Sequence, residues 1–298
     1  MIGRFDGVLV VDKPAGLTSH DVVAAARRAL GEPRIGHTGT LDPLATGVLP
    51  LACGRATRLV QFLTASDKAY DARIRIGLAT DTYDVTGRET SRSDRRPSRG
   101  ELEAALHAFE GEMLQAPPPF SAKKVGGRRA YDLAREERPV QPPPARVSAR
   151  RIELQGWEDG VAAVRLVCSA GFYVRSLAHD LGARLGTGAC LEALRRTRSG
   201  EFDLPQAVTV DDLVREPRMA RGRLMPLERL LAAFPAVLLT PEGRTWVAHG
   251  RELGSRQAVG ALPAGAEWVR LVGPDGALVA LGRPGTTPGS LHPSVVLI

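Results

Sequence analysis

Apolar and polar residues alternate most regularly between residues 68 and 77, which read KAYDARIRIG. A repeat of two predicts a β-strand that buries one face and exposes the other. Tyr70 is the first residue of the apolar face, where the strand leaves the preceding loop. The pattern therefore predicts a strand that carries an aromatic side chain at the border of the protein core.

Shorter apolar runs predict further strands, at residues 7–11, 48–52, 147–154 and 161–169. The first of these runs, GVLVV, lies between Asp6 and Asp12, and no cleavage-like site follows it. These flanking charges favour a buried strand over a signal peptide.

Apolar residues repeat every three or four positions in other segments, which predicts amphipathic helices at residues 19–30, 55–63, 102–109, near 129–137 and at 173–185. Ser19 is the predicted cap of the first helix. Ser98 with Glu101, and Thr209 with Asp212, have the spacing of capping boxes. The polar stretch 88–100 is predicted to be an exposed loop.

The character of the sequence changes after Phe234-Pro235. Short apolar runs alternate with glycine and proline, and one helical segment occurs near residues 241–249. This composition predicts a β-rich module of about 60 residues, within the usual size range of a small domain. We therefore predict two domains, residues 1–234 and 235–298. Because strands and helices do not alternate strictly, the larger domain is predicted to be α+β.

The 298 residues include 40 Lys and Arg against 33 Asp and Glu, which gives a formal net charge of +7 and a pI near 9.8. This surplus favours a polyanionic partner such as nucleic acid, although a solvated basic surface has the same composition. Four of the basic residues are lysines: Lys13, Lys68, Lys123 and Lys124. The lysine ammonium is a compact point charge, whereas the arginine guanidinium is planar and has several donors. These four positions are therefore candidates for a specific role.

The three cysteines, Cys53, Cys168 and Cys190, are widely spaced and form no CxxC pair. This spacing argues against a disulfide framework or a cysteine–zinc site and favours a reducing compartment. No apolar run approaches the roughly 20 residues that a membrane-spanning helix needs. We therefore expect a cytoplasmic protein that does not enter a membrane.

The segment GHTGTLDPLATG, residues 36–47, surrounds His37 and Asp42 with glycines, threonines and one proline. It lacks the GK[ST] of a P-loop, the glycine spacing of a dinucleotide loop, the ligand cluster of a zinc site and the GxSxG of a serine hydrolase. What remains is a loop that holds one carboxylate, with its path fixed by glycines and Pro43 and its backbone satisfied by threonine hydroxyls. An Asp-Pro turn with a purely structural role has the same local sequence.

Five segments, in this order, resemble the signature motifs of the TruB family, the tRNA pseudouridine-55 synthases. They are GVLVVDKPAGLTSHDVV, GHTGTLDPLATGVLPLACGRATR, KAYDARIRIGLATDTYDVTG, PPPFSAKKVGGRRAYDLAR and SAGFYVRSLAHDLGARLGTGACLEALRRTRSG. The matching segments extend from about residue 7 to residue 205. The module after Pro235 is similar in position and size to the family's PUA-like RNA-binding domain, with a weaker match.

The resemblance implies a pseudouridine synthase fold, with a mixed, mostly antiparallel sheet and flanking helices, followed by the small β-rich domain. It also implies isomerisation of one uridine in the T-loop of tRNA: the N-glycosidic bond breaks, the uracil turns, and a bond to C5 forms. This reaction is redox-neutral and requires no ATP, metal or other cofactor. The uridine is folded into the tRNA elbow, so it must be flipped out before the enzyme can reach it.

The resemblance assigns three residues to catalysis. Asp42 would be the nucleophile or base, which attacks C1′ or C6 or takes a proton from C2′. Tyr70 would stack on the uracil and accept or relay the proton that leaves C5. Arg175 would hold Asp42 ionised through a bidentate pair.

The resemblance also assigns residues to substrate binding. His37 matches a family residue that contacts the rearranged T-loop, and Tyr173 and Leu194 match positions that line the uracil pocket. A phosphate-binding surface would be formed by a group of six basic residues, Lys13, Lys123, Lys124, Arg195, Arg196 and Arg198.

The resemblance is to the bacterial, stand-alone type of the family. We therefore expect a monomer that binds the T-stem-loop of tRNA without a guide RNA or a protein partner. The alternative from a different functional class is a non-catalytic tRNA-binding or tRNA-folding factor that uses the same groove. An intact set of Asp42, Tyr70 and Arg175 favours the enzyme, because binding alone does not require a nucleophile.

Overall fold

The computed structural model describes residues 5–121, 142–263 and 265–298, together with the backbone of Lys124–Val125 and Arg128–Arg129. The strands, in chain order, are β1 (Gly7–Lys13), β2 (Ile35–His37), β3 (Thr46–Cys53), β4 (Lys68–Ile76), β5 (Leu78–Thr80), β6 (Glu89–Arg92), β7 (Gly111–Gln115), β8 (Lys124–Val125), β9 (Arg128–Arg129), β10 (Ala145–Glu158), β11 (Val161–Cys168), β12 (Ala189–Ser199), β13 (Phe202–Asp203), β14 (Val208–Thr209), β15 (Met225–Pro226), β16 (Ala236–Leu239), β17 (Ala258–Val259), β18 (Val269–Val272), β19 (Leu278–Pro284) and β20 (Leu291–Val296). The α-helices are α1 (Ser19–Leu30), α2 (Val60–Thr64), α3 (Arg99–His107), α4 (Val174–Leu185), α5 (Val210–Arg215), α6 (Pro217–Gly222) and α7 (Pro241–Ala248). Short 3₁₀ helices lie at Gly54–Leu59, Leu204–Gln206, Leu227–Arg229 and Ser255–Gln257.

Eleven of the described strands form one sheet, with the main order β14-β1-β3-β12-β4-β11-β10-β7. Off this order, β13 pairs with β12, β15 with β1, and β2 with β3. Neighbouring strands run antiparallel except where β1 meets β14 and where β3 meets β12. The expected α+β fold with a mixed, mostly antiparallel sheet is confirmed.

Strand β4 lies between β11 and β12 and has the predicted alternation. Tyr70 and Ile74 are buried, whereas Asp71, between them, is exposed. The residues paired with Tyr70 across the sheet are Leu166 on β11 and Arg196 on β12. The sheet register therefore places Tyr70 directly beside Arg196.

Apolar cores cover β1 and β3 from both faces. On one face, Leu9 and Leu49 pack in a cluster that includes side chains of α1, α3 and α4. On the other face, Val8 and Val48 pack in a cluster that includes Phe202 and residues of β19. Because both faces are covered, GVLVV is a continuous apolar run instead of an alternating one.

The residues after Pro235 form a second sheet with the order β17-β16-β18-β19-β20. Its own core includes Val237, Val247 of helix α7, and Leu271. Leu278 and Leu281 of β19 belong to the core shared with β1 and β3, so the second sheet packs against the first. In the described part of the chain, no helix is long and apolar enough to cross a lipid bilayer.

Helix α1 is capped by Thr18 and not, as predicted, by Ser19. The Thr18 hydroxyl accepts from Asp21 N at 3.1 Å, and the Asp21 carboxylate accepts from Thr18 N at 2.8 Å. The Ser19 hydroxyl is buried instead, where it donates to Leu41 O at 3.1 Å and accepts from Leu41 N at 2.8 Å. Ser19 therefore fixes the loop that follows β2.

The remaining local predictions have mixed outcomes. Ser98 and Glu101 form the predicted capping box of α3, whereas Thr209 caps α5 with its hydroxyl alone, without the reciprocal bond from Asp212. The helix predicted at 55–63 is a 3₁₀ helix at first and becomes α-helical at α2. The loop predicted at 88–100 contains β6, which pairs with β5. The helix predicted near 129–137 lies outside the described residues, apart from Arg129.

Candidate active site

Residues 38–45 form the loop between β2 and β3 that carries Asp42. Leu41 and Ala45 are buried on either side, whereas the Asp42 side chain is 40% exposed. Thr38 N donates to Pro50 O at 3.0 Å, and Ala45 N donates to Asp42 O at 3.0 Å. The buried neighbours hold the loop on the core and leave the Asp42 carboxylate accessible.

Lys13 fixes the same loop through its ammonium group. Its fully buried side chain donates from Nζ to Pro14 O at 2.8 Å, to Leu17 O at 2.6 Å and to Pro43 O at 3.5 Å. Burial lowers the pKa of Lys13 to about 8, and the negative charge of Asp42 opposes this shift. Lys13 thus ties the turn after β1 to the residue that follows Asp42.

Arg196, on β12, holds the loop from another side. Its Nε donates to Val48 O at 2.7 Å, its Nη2 to Gly39 O at 3.0 Å and its Nη1 to Thr40 O at 3.4 Å. Gly47, where β3 meets β12, has a φ of +99°, and a Cβ there would lie 2.2 Å from Arg196 O. Glycine is therefore required at this position for the two strands to meet.

The threonine hydroxyls have a smaller part in the loop than the sequence predicted. Thr46 Oγ1 donates to Leu194 O at 3.3 Å. Thr38 Oγ1 is buried without a hydrogen-bond partner among the described residues. The carbonyls of the loop accept from Arg196, Ser19 and Lys13 and from backbone N–H groups, so that prediction is wrong for Thr38.

Arg175, in the first turn of α4, faces Asp42. Its Nε lies 2.9 Å from Asp42 Oδ2, and its side chain is 7% exposed. Nη1 donates to Thr82 O at 3.2 Å and Nη2 donates to Phe120 O at 3.0 Å. Nε itself has no hydrogen bond to any described residue, so the contact with Asp42 is an ion pair. The expected bidentate pair is wrong: the hydrogen bonds of Nη1 and Nη2 are directed to Thr82 O and Phe120 O, and Nε is the atom that faces Asp42.

A second carboxylate, Asp84, lies near the Nη1 end of Arg175. Its Oδ2 is 3.6 Å from Arg175 Nη1, and its side chain is 7% exposed. Its Oδ1 accepts from Thr82 Oγ1 at 2.9 Å and from Thr86 N at 3.0 Å. Because a buried charge is costly unless it is paired, Asp84 and Arg175 stabilise each other in the folded protein.

Asp42 and Arg175 open into a cavity of about 240 Å³. Tyr70, Tyr173 and Leu194, which the sequence assigned to the uracil, also line it. The remaining lining residues are Gly39, Thr40, Leu41, Thr64, Lys68, Ser169, Gly171, Phe172, Val174 and Arg196. The structure therefore brings six of the predicted site residues, Arg196 included, to one cavity.

Both tyrosines of the cavity are neutral at physiological pH. Burial raises the pKa of Tyr70, and the positive charge of Arg196 opposes this shift. Burial likewise raises the pKa of Tyr173. The amide of Gln115 fixes the backbone of Tyr173, donating to its carbonyl at 3.0 Å and accepting from its N–H at 2.8 Å.

Two of the six residues predicted on a phosphate-binding surface are inside the protein. Lys13 is 0% exposed and Arg196 is 1% exposed, and both donate to backbone carbonyls. Their placement on the surface was wrong. Backbone carbonyls compensate for burial of each charge, mainly those of Pro14 and Leu17 for Lys13 and those of Gly39 and Val48 for Arg196.

The other four basic residues differ in their surroundings. Arg195 is partly exposed and forms an ion pair with Asp12 at 2.7 Å. Arg198 is exposed. Lys123 lies outside the described residues, and of Lys124 the structure describes only the backbone, in β8.

His37 ends β2 and is not among the residues that line the cavity. Its Nδ1 is buried without a hydrogen-bond partner in the described part of the chain. Burial, with a further contribution from the positive charge of Arg196, lowers the pKa of His37. The imidazole is therefore neutral at pH 7, and its predicted contact with RNA stays a prediction.

Two residues of this region were not assigned to the site from the sequence. Asp84 lies in the polar run TDTYD that follows β4 and β5, but the run alone does not indicate which carboxylate is buried. Lys68 lines the cavity, is 6% exposed, and donates from Nζ to Thr64 O and Ser66 O. Burial lowers its pKa to about 8. The scarcity of lysine was the signal that marked Lys68.

The acidic and basic groups of the cavity can hold, orient and deprotonate a small polar substrate. A group of three or more His, Cys, Asp or Glu residues that could hold a metal ion does not occur within the described ranges.

Two family models match the chain. Residues 27–174 match the TruB family pseudouridylate synthase N-terminal domain. Residues 175–232 match the tRNA pseudouridylate synthase B C-terminal domain. The two matches adjoin between Val174 and Arg175, which both line the cavity.

Curated proteins and solved structures are similar over most of the chain. The tRNA pseudouridine synthase B of Solibacter usitatus is 45% identical over 297 residues, which cover 98% of this chain and 100% of the relative. That of Symbiobacterium thermophilum is 48% identical over 249 residues, 82% of each chain. A structure of an H/ACA RNP bound to a substrate RNA containing 2′-deoxyuridine aligns with a TM-score of 0.76 at 27% identity, covering 99% of this chain and 86% of that one. A Cbf5-Nop10-Gar1 complex aligns with a TM-score of 0.76 at 29% identity, covering 98% and 85%.

The sequence motifs, the fold and the similarity to whole-length relatives agree. The chain belongs to the TruB family of pseudouridylate synthases.

Proposed function

We propose that this enzyme converts the uridine at position 55, in the T-loop of tRNA, to pseudouridine. Its family membership makes it a tRNA pseudouridine synthase, an isomerase. The position of the uridine and the roles of individual residues are the parts proposed here.

The reaction is an isomerisation in which atoms and charge balance within the nucleotide. The bond between N1 of the uracil and C1′ of the ribose breaks, and a bond between C5 and C1′ forms. The proton on C5 is lost and N1 becomes protonated. A carboxylate can start this sequence by attacking C1′, by attacking C6, or by taking the proton from C2′. Asp42 is the proposed carboxylate, and no cofactor takes part in any of the three routes.

The observation that carries the proposal is the Asp42–Arg175 ion pair at the cavity. Arg175 Nε lies 2.9 Å from Asp42 Oδ2, so a fixed positive charge faces the carboxylate that all three routes use. Tyr70 lines the same cavity, with a neutral phenol that can donate or relay a proton near the substrate.

The cavity supports recognition of a single flipped base. Its volume of about 240 Å³ is smaller than that of pockets for drug-sized ligands, about 300–1,000 Å³. We propose that Tyr70, Tyr173 and Leu194 contact the uracil after it leaves the T-loop stack. His37 is proposed to contact the rearranged loop outside this cavity.

We propose that phosphates of the tRNA bind Arg198, which is exposed on β12, together with Lys123 and Lys124 of the basic segment. Residues 235–298 are proposed to be a PUA-like RNA-binding domain. The chain is proposed to act as a monomer without a guide RNA. Its three cysteines are free and buried, which is compatible with the proposed cytoplasmic location.

The test is release of tritium from an unmodified T-stem-loop RNA labelled at C5 of uridine 55, without added cofactor. We expect one tritium released per RNA, and chemical mapping should place pseudouridine at position 55. An RNA with cytidine at this position is the matched control and should release none. Tight binding without tritium release would contradict the proposal and support the non-catalytic tRNA-binding factor.

A further inference from the structure

Tyr83 has a backbone conformation that large side chains rarely adopt. Its φ is +66°, in the left-handed region, where a bulky residue is strained and asparagine or glycine is favoured. Strained residues persist where their surroundings hold them, and they are concentrated at functional sites. The residues on both sides of Tyr83 contact the same arginine: Thr82 accepts from Arg175 Nη1 at 3.2 Å, and Asp84 Oδ2 lies 3.6 Å from it.

The ring of Tyr83 stacks on the imidazole of His179. Their centroids are 3.9 Å apart and their planes differ by 12°. His179 follows Arg175 by four residues on α4, so the two side chains lie on the same face of this helix. The 82–84 turn therefore contacts α4 at two points one helical turn apart, at Arg175 and at His179.

Backbone hydrogen bonds fix the same turn to the sheet. Leu191 N, on β12, donates to Tyr83 O at 2.9 Å, and Val85 N donates to Leu191 O at 2.9 Å. Burial, with a contribution from the charge of Asp180, raises the pKa of Tyr83, so its phenol is neutral. The sheet thus holds the backbone of the turn, and the stack of two rings holds the turn against α4.

We propose that Tyr83 and His179 are positioning residues for the reaction of Asp42. Their stack keeps Thr82 O and Asp84 in contact with Arg175 Nη1, and this contact orients Arg175 so that its Nε faces Asp42. Neither residue is among those that line the cavity, so both act through Arg175. The kinetic part of this inference rests on the proposed function.

The test compares variants of Tyr83 in single-turnover reactions with the T-stem-loop. Tyr83→Asn keeps a residue that tolerates the left-handed conformation but removes the ring, whereas Tyr83→Phe keeps the ring. We expect Tyr83→Asn to slow the reaction at least about tenfold, because a displacement of roughly 1 Å can cost about 100-fold in rate. RNA affinity should change less than about threefold, and Tyr83→Phe should react at the wild-type rate.

His179→Ala should slow the reaction as Tyr83→Asn does. The double variant should be no slower than the slower single variant, since both remove one shared contact. Leu231→Asn is a matched control, because Leu231 is also left-handed, with a φ of +57°, and packs in the core on the other face of β1. It should lower the melting temperature without slowing single-turnover reaction of the folded protein. A wild-type rate for Tyr83→Asn, or multiplied losses in the double variant, would overturn the inference.

A crystal structure of Tyr83→Asn gives a readout that does not depend on activity. Arg175 Nε should lie beyond about 4 Å from Asp42 Oδ2, outside ion-pair distance. An unchanged pair at this distance would overturn the positioning role, whatever the kinetics. Absence of pseudouridine formation by the wild type would instead refute the proposed function and leave the structural comparison to decide the role of Tyr83.

Discussion

Arg175 approaches Asp42 with Nε, 2.9 Å from Oδ2, while its Nη1 and Nη2 groups donate to the carbonyls of Thr82 and Phe120. The guanidinium is therefore oriented by the protein before any substrate binds. A charge that is fixed in advance does not have to reorganise during a reaction, which is the condition for efficient electrostatic stabilisation. Asp42 in turn is held by a loop whose carbonyls bind Lys13 and Arg196.

Asp42→Asn should abolish pseudouridine formation while leaving tRNA affinity within about tenfold, because phosphate contacts and stacking supply most of the binding free energy. The measurements are tritium release in single turnover and filter binding of the T-stem-loop. Asp71→Asn is the matched control, since Asp71 is exposed on the outer face of β4. Turnover by Asp42→Asn near the wild-type rate would refute the mechanism.

Arg175→Gln should lower both the reaction rate and the free energy of unfolding. It leaves the carboxylate of Asp84 buried without its cation, and breaking a buried pair typically costs about 3–5 kcal/mol. Adding Asp84→Asn removes that charge, so the double variant should regain stability and stay inactive. Urea unfolding and single-turnover rates measure the two effects. A double variant less stable than Arg175→Gln would contradict the pairing.

Tyr70→Phe should keep RNA affinity and slow the reaction by about 100-fold or more, the usual contribution of a group that transfers a proton. The ring still stacks, but the hydroxyl is lost. Burial raises the pKa of Tyr70 above its ordinary value of 10.0. The wild-type rate should therefore show no loss from ionisation of Tyr70 up to pH 9. An unaltered rate for Tyr70→Phe would exclude proton transfer by the phenol.

Binding of tRNA should weaken steeply as salt rises, because phosphate contacts release counterions. Arg198→Gln should make the slope of log affinity against log salt concentration smaller by about one. Lys13→Met should leave this slope unchanged, since the Lys13 side chain is fully buried. Filter binding of wild type, Arg198→Gln and Lys13→Met over a range of salt concentrations measures the three slopes. Equal slope changes in both variants would mean that Lys13 becomes exposed to the RNA.

Lys13 should also make stability depend on pH. Burial lowers its pKa from 10.5 to about 8 in the native protein. Between these values the unfolded chain binds more protons at Lys13 than the native protein does, so this contribution to the free energy of unfolding rises with pH. Lys13→Met lacks this pH-dependent contribution. The free energy of unfolding of the wild type should therefore rise relative to that of the variant from pH 8 to 10.5.

Urea unfolding of both proteins across this range is the measurement. The buried thiols of Cys53, Cys168 and Cys190 have raised pKa values and therefore lower stability above pH 9, but equally in both proteins. The difference in the free energy of unfolding between wild type and Lys13→Met therefore reports the contribution of Lys13 alone. A difference that stays constant up to pH 10.5 would show that the ammonium is not desolvated in the native state.

Local structure was largely predictable because its causes are local. The alternation in KAYDARIRIG predicted β4 and the buried side of Tyr70, and the Ser98–Glu101 spacing predicted the cap of α3. The cap of α1 was misplaced by one residue, since Thr18 and Ser19 can both cap a helix. Which of them does so depends on Leu41, which is distant in sequence and binds the Ser19 hydroxyl.

The site was predictable only as a set of separate residues. The motifs identified Asp42, Tyr70 and Arg175, but not the geometry of the Asp42–Arg175 pair. That geometry depends on Thr82 O and Phe120 O, which accept from Nη1 and Nη2 and thereby orient the guanidinium so that Nε faces Asp42. Asp84 was missed because its burial depends on how the turn after β5 packs against α4.

The sequence by itself determined the family, the α+β fold, the acid that lies in the loop between β2 and β3, and the basic character of the chain. Only the tertiary structure decided which basic residues face solvent and which are buried and donate to backbone carbonyls. Lys13 and Arg198 have the same charge in the sequence, but Lys13 lies among the carbonyls of Pro14, Leu17 and Pro43. A cation can be buried where several oxygen acceptors converge, and such convergence arises only when distant segments fold together.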